Sequence, residues 1–412
     1  MQFGLYLVFI TLAYLRWQTL LPDTHFMRAV LVVLAISALF SWRKTSDTRI
    51  VAVMLGFLAL IFALIPFARF TMAAYYTFTG MSKVITIALI GFIVVDSWKK
   101  LAALAAVLLA SHAYLALTTL ATYHSLSVGA ELARIGAVGT AKGSWLGDAN
   151  DFALALNIVL PLAVILFLNQ RGLRKVALLG CAALLIAGIM STYSRGGFIT
   201  MVGAMAGVWF LRGRRVWVGV VVTVAVVGLL VLAPQSYLSR LGTIETLDKN
   251  DTGYGRLQLW KAGLLMLKDH PLTGVGPGSY HGAFGSSYMS MVERNSNKWH
   301  VAHSAYVTVA AEMGLPGIIL YCYLIYLAFK ENLATRRLLR ERGSPSWQVA
   351  LCEGFTCSLI AYVVGSTFLS VAYYDHVYFL AALSAAMAAT VRAELAPARQ
   401  LAEQPLAAQA AA

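Results

Sequence analysis

An all-α, polytopic integral membrane protein is the fold class this sequence predicts, and three observations carry the prediction. Apolar residues make up 59% of the 412 positions and charged ones only 12%, a balance that a soluble domain cannot spread over its surface. Apolar runs of about 18 to 25 residues recur along nearly the whole chain, each long enough to cross a hydrocarbon core about 30 Å thick as a helix. The Lys and Arg residues behind the formal charge of +14 gather in short clusters between those runs rather than in one stripe. That is the pattern of membrane topology and excludes a nucleic-acid partner. The shorter alternating segments of an outer-membrane barrel are missing from the sequence.

Twelve spans are expected, at roughly 3–20, 26–42, 50–67, 77–95, 101–120, 150–168, 175–192, 197–211, 215–233, 303–329, 347–373 and 376–393. The first run lacks a basic leader and a small-residue cleavage site, so it reads as a retained anchor. The fourth is preceded by FARFTMAAYYTFTGMSK, only half apolar and compatible with an interfacial segment. Basic residues concentrate in alternate short connections: Arg43, Lys44 and Arg49; Lys99 and Lys100; Arg171, Arg174 and Lys175; Arg212, Arg214 and Arg215; Lys330 to Arg342; and Arg392 with Arg399. Basic residues are retained inside, so both termini should be cytoplasmic. The long connection between spans nine and ten should then face outward, into the periplasm of a bacterium.

The expected organisation is thus five spans and a following periplasmic loop over 1–146, spans six to nine over 147–233, a large periplasmic loop over 234–302, spans ten to twelve over 303–393, and a disordered cytoplasmic tail over 394–412. Within the long loop, GRLQLWKAGLLMLKDHP places Leu257, Trp260, Leu264 and Leu267 at helical spacing, with Lys261 and Lys268 seven apart and Pro271 as a stop. This predicts a helix lying at the membrane interface. The four cysteines lie inside apolar runs without metal-ligand spacing and read as small core residues.

Four polar patches fall on the expected outer side: GDANDF at 147–152, TYSRGG at 192–197, GYGR at 253–256, and His303. Arg195, flanked by Tyr193, Ser194 and two glycines, is either a side chain snorkelling from a helix end or a phosphate ligand. Glycines let backbone approach a ligand, and the forked guanidinium suits a phosphate. Arg256, at a helix start, either anchors to anionic lipid or adds to a helix end that attracts anions. The GVGPGSY loop at 274–280, which ends on Tyr280, is either a plain turn or a nest of amides for an anion.

Asp148, Asn150 and Asp151 look first like a helix start, where an acid or amide caps free N–H groups. Holding a sugar or orienting an arginine remains the second role. His303 heads a stripe containing Tyr306, Val307, Ala310, Gly314 and Gly317, whereas Glu312 points the other way at about 100° per residue. It is either an interfacial histidine bonded to a neighbour or a proton acceptor.

Three motifs together, SRGG after an apolar span, R-x3-W followed by HPLTGVGPGSY, and H-S-x9-G-x2-G, resemble the bacterial O-antigen ligase and O-antigen polymerase superfamily, the ligase branch most. The last motif is complete here as His303, Ser304, Gly314 and Gly317. The resemblance implies a membrane glycosyltransferase that takes a glycan from an undecaprenyl-diphosphate-linked donor at the periplasmic face of the inner membrane. The ligase branch passes it to the lipid A core, and the polymerase branch passes it to another repeat unit.

Carried over by motif, His303 would be the catalytic residue and Arg195 and Arg256 the arginines around the diphosphate. Lys261 is a weaker addition from its place on the interfacial helix. Asp148, Asn150, Tyr193, Ser194, Tyr280, Ser304 and Tyr306 are further candidates for contact with substrate. Arginines can replace a divalent cation, so no metal and no cofactor is expected. Membrane lipid is the surrounding partner. A polytopic transporter or flippase is the alternative from another class. It is disfavoured because few charged residues lie within the spans, Glu353 being the clearest.

Overall fold

The computed structural model describes residues 2–15, 26–40, 49–126, 146–213, 252–293 and 299–402. Among these there is no strand, and the chain is an all-α polytopic membrane protein. Eight helices are long and apolar enough to cross a membrane, and three shorter ones are apolar. In chain order the helices are α1 (Gln2–Leu15), α2 (Phe26–Phe40), α3 (Arg49–Leu64), α4 (Thr71–Val94), α5 (Trp98–Leu126), α6 (Ala149–Asn169), α7 (Gly172–Ser191), α8 (Arg195–Leu211), α9 (Thr252–Asp269), the short α10 (Tyr280–Ala283), α11 (Ala305–Glu341), α12 (Ser346–Ser366) and α13 (Asp375–Ala402). Eleven of the twelve expected spans fall on these helices; the ninth, 215–233, lies outside the described residues.

The centre of the bundle is α6 against α12, the two most thoroughly buried spans. A helix with no polar face, as α6 is from Phe152 to Ile165 with Asn157 its one polar side chain, has nothing to turn outward and takes the middle. The pair packs closely because α12 carries glycine at the contact. A Cβ on Gly354 would lie 2.6 Å from Leu162, and one on Gly365 would lie 2.5 Å from Leu154. One buried amide fixes α8 beside them: Asn157 of α6 donates to the carbonyls of Ala153 and Gly197, both at 2.9 Å.

Four expectations need correction. Span four begins at Thr71 rather than 77, since the half-apolar stretch before it is itself helical. Span eleven stops at Ser366, and residues 367–374 form an irregular loop before α13. The last helix continues to Ala402, past the tail boundary at 394, and Glu394 within it pairs with Arg342. Span ten is not one straight rod. The 37 residues of α11 would extend about 55 Å at 1.5 Å per residue, well beyond a core about 30 Å thick. The helix breaks at Gly314, with φ 63° and ψ −163°, so His303 heads a short helical arm on one side of the kink while the apolar span lies on the other.

The break is made by a second segment. Leu315 donates its N–H to the carbonyl of Pro271 at 2.8 Å, and Val275 and Gly276 donate to Ala311 and Glu312 at 2.9 and 3.0 Å. The HPLTGVGPG stretch is therefore laced onto α11 at the kink. A Cβ at Gly314 would sit 2.5 Å from the Pro271 oxygen. Two separate motifs of the sequence are thus one structural joint.

The cysteines split: Cys352 and Cys357 are buried, but Cys322 is exposed, on the outer face of α11 rather than in the core. Glu353 is buried against Arg212, Arg336 and Arg340 at 3.1, 2.8 and 2.7 Å. It knots α8, α11 and α12 together, each carboxylate oxygen facing at least one guanidinium.

Candidate active site where helix starts converge

Asp148 caps α6, its carboxylate accepting from the Asn150 backbone N–H at 2.7 Å, and its Oδ1 also accepts from the Asn150 amide at 2.9 Å. Asn150 in turn accepts from the Ser194 hydroxyl at 2.8 Å. Ser194 caps α8, accepting from Gly197 N–H at 3.0 Å. One hydrogen-bonded chain therefore holds the starts of α6 and α8 together, and Asp148, Asn150 and Ser194 all belong to it. Arg195 is the first residue of α8, half-buried at this junction.

A narrow pocket opens beside the chain. Its walls include Asn150, Ser194 and Gly196, with Arg256 reaching in from the first turns of α9 and Phe368 and Leu369 from the 367–374 loop. Three of the four polar patches thus meet in one place. The fourth is tied to it through that same loop. Ser304, which follows His303, caps α11, and its carbonyl accepts from Thr308, whose hydroxyl lies 3.3 Å from Ser370. The starts of α6, α8, α9 and α11 all lie at this end of the bundle, and each contributes partial positive charge from N–H groups that have no partner within the helix.

Among the described residues only Tyr193 and His303 combine a side chain with positive φ, 50° in both cases. Such backbone is uncommon outside glycine and costs on the order of 1–3 kcal/mol unless its surroundings enforce it. Each adjoins a helix cap, Tyr193 beside Ser194 and His303 beside Ser304, and neither is among the residues lining the pocket. Tyr193 is buried, whereas His303 is half-buried and retains access.

The remaining candidates are held elsewhere. Lys261 is exposed on α9, five residues from Arg256 and so about 140° around the helix, away from the pocket. Tyr280 is buried with its hydroxyl donating to the Leu259 carbonyl at 2.5 Å. Tyr306 donates to the Val363 carbonyl at 3.1 Å and accepts from Ser366 at 3.2 Å. Both tyrosines join helices. On α9 the buried stripe is Leu259, Ala262 and Met266, while Leu257 and Leu264 of the expected interfacial face are exposed.

Sequence reasoning missed the hub formed by the 367–374 loop and Glu312. The Glu312 carboxylate accepts from the N–H groups of Gly278 and Tyr280, each at 2.8 Å, and from the Tyr373 hydroxyl at 2.7 Å. The amide nest in GVGPGSY therefore exists, and its anion is a side chain of the protein. Next to Tyr373, Tyr374 donates to Asp151 at 3.4 Å. Burial and the neighbouring carboxylates hold both phenols above the ordinary tyrosine range, so both remain hydrogen-bond donors. The polar run YYDH at 373–376 was the available signal, breaking two apolar segments that otherwise read as continuous. No cluster of three or more His, Cys, Asp and Glu able to hold a metal occurs among the described residues.

Comparison with known proteins gives one family. Residues 180–322 match the family model described as O-antigen ligase, and no curated protein matches the chain. The matched stretch runs from within α7 through the kink of α11, and so contains Arg195, Arg256, the glycine loop and His303 but neither Asn150 nor the 367–374 loop. That match, and the motifs it spans, support the O-antigen ligase and polymerase superfamily as the one this chain is similar to.

Proposed function

We propose that the protein is an O-antigen ligase, transferring a glycan from undecaprenyl diphosphate to the lipid A core at the periplasmic face of the inner membrane. The observation that carries this is the pocket where Arg256 meets the Ser194–Asn150 junction at the start of α8. Guanidinium groups and helix starts at one end of the bundle are what a diphosphate requires. His303 supplies the proton acceptor: the acceptor hydroxyl gives its proton to the imidazole while its oxygen bonds the anomeric carbon. The bond from that carbon to the phosphate oxygen breaks, and lipid diphosphate departs with the electron pair, its charge met by Arg195 and Arg256. Attack opposite the leaving group inverts the anomeric centre. The arginines take the part a divalent cation plays elsewhere, so transfer proceeds without metal.

The full chain, reconstituted with lipid-linked glycan and core acceptor, tests this. His303→Ala should lower transfer by about 10²–10⁴, the range for general base catalysis, while the protein remains folded. Arg195→Ala and Arg256→Ala should weaken donor use. Full activity in folded His303→Ala removes the base. Activity that survives EDTA supports the metal claim, and loss restored only by Mg²⁺ refutes it. The polymerase reading is separated in cells: deletion should leave bare core with long glycan on the carrier, and core bearing a single repeat would make the protein a polymerase. For a transporter, Glu353 is the clearest intramembrane charge, and its engagement by three arginines counts against a translocation role.

A further inference from the structure

A groove of ≈680 Å³ opens between α5, α6, α7 and α12 at the far end of α6 from the Asn150 pocket. The 21 residues of α6 put about 30 Å between them. Its walls are aliphatic, from Ala106 and Leu109 of α5 to Leu166 of α6, Leu178 of α7 and Leu351 of α12. Its rim is not: Lys99, Arg174, Gln170 and Trp347 line it, and among the described residues no acidic one does.

The rim charges are placed against their own helices. Lys99 is in the first turn of α5 and Arg174 in the first turn of α7, and neither helix has an acid in that turn. A helix start carries partial positive charge, so a cation there is disfavoured by the dipole and calls for an anion. Lys100, the neighbour of Lys99, has such a partner in Asp96 at 2.8 Å. Among the described residues no carboxylate lines the groove to do the same for Lys99 and Arg174.

From this charge complementarity we infer that the groove is a binding site for an anionic membrane phospholipid, with an acyl chain along the aliphatic wall and the phosphate between Lys99 and Arg174. Trp347 is the second residue of α12, where an interfacial tryptophan would meet headgroups, and Gln170 offers an amide donor. The volume is within the roughly 300–1,000 Å³ of small-molecule sites. A zwitterionic lipid brings its own cation to the same rim and binds less well. The inference is independent of the glycan chemistry at the other end.

The test uses the purified full chain in phosphatidylcholine nanodiscs with and without phosphatidylglycerol, read by native mass spectrometry after detergent release and by the thermal midpoint. Wild type should retain phosphatidylglycerol and gain thermal stability with its mole fraction. The double variant Lys99→Gln/Arg174→Gln should bind it about thirtyfold more weakly, from about 1 kcal/mol per cation near a headgroup and 1.4 kcal/mol per tenfold. Ala106→Phe, which keeps both cations and fills the wall, should lose the lipid too, whereas Lys268→Gln on α9 should not. Equal retention of phosphatidylcholine, undiminished retention in the double variant, or no retained lipid in wild type because a segment of the chain itself fills the groove would each overturn the site.

Discussion

Replacing Glu312 by glutamine changes one atom and should loosen two loops. Its Oε1 accepts from Tyr280 N–H, and its Oε2 accepts from Gly278 N–H and Tyr373 O–H. Glu312 is only 3% exposed, so water does not compensate for a lost partner. Glutamine has a single acceptor oxygen. Its best orientation keeps the two bonds at Oε2 and turns the NH2 against the Tyr280 N–H, stranding that donor. A hydrogen bond to a charged group contributes about 1.5–3 kcal/mol, and a neutral one about 0.5–1.5. Losing one and weakening two sums to roughly 3–5 kcal/mol. Tyr373→Phe removes one bond and should cost about 1.5–3 kcal/mol, and because the two residues share an oxygen the double variant should fall short of additivity. The assay is hydrogen exchange on 274–280 and 367–374 together with the thermal midpoint in one detergent. Faster exchange in both loops is expected. Unchanged exchange and midpoint in Glu312→Gln would refute the hub.

Gly314→Ala should destabilise by roughly 1–3 kcal/mol from its positive φ alone, with more from pressing Cβ against the Pro271 carbonyl; a midpoint equal to wild type would show the kink to be dispensable. Glu353→Gln should cost about 1.5–3 kcal/mol, because it removes the charge shared by the half-buried Arg212 and Arg336 and the exposed Arg340, all three within reach of water, and should lower folded yield. Normal yield of that variant would contradict the knot. Arg256→Lys keeps the charge but loses the fork, so donor affinity should fall in steady-state transfer assays, and wild-type kinetics would argue against a paired guanidinium contact.

Fold class and most spans were legible because lipid imposes one strong requirement, a long apolar run, and the chain meets it openly. What stayed hidden depends on partners distant in sequence. Glu353 looked like an intramembrane charge because nothing local names Arg212 or Arg340 as its partners. Gly314 and Gly317 suggested a smooth small-residue stripe, but periodicity assumes an unbroken helix, and the break is imposed by residues 271–276. The cap role of Asp148 and Ser194 was readable from the residues alone. That the two caps join through Asn150 was not, since 44 positions separate Asn150 from Ser194. The glycine loop offered amides for an anion, and the acid that fills it pointed, on a helical wheel, away from the histidine. The nest is filled by Glu312, but His303 precedes the Ser304 cap with φ 50°, so a helical wheel does not set its direction.

The joined caps bear on how the candidate site keeps its shape. An arginine beside a flexible loop would have to be oriented each time substrate arrives, and much of its attraction would be spent on ordering it. Here Arg195 is the first residue of α8, whose start is pinned by Ser194 to Asn150, and Arg256 rises from a helix whose buried stripe of Leu259, Ala262 and Met266 packs in one cluster with Ala311 of α11. Positive helix ends add to both without any reorganisation. On the proposed reaction, charge appearing on the departing diphosphate meets groups already in place, the condition under which electrostatic stabilisation lowers a barrier rather than merely tightening binding. Substitutions in the supporting framework, such as Asn150→Ala, should therefore reduce the rate of transfer more than they reduce donor affinity. A pure affinity loss in that variant would mean that the arginines hold their positions without the framework.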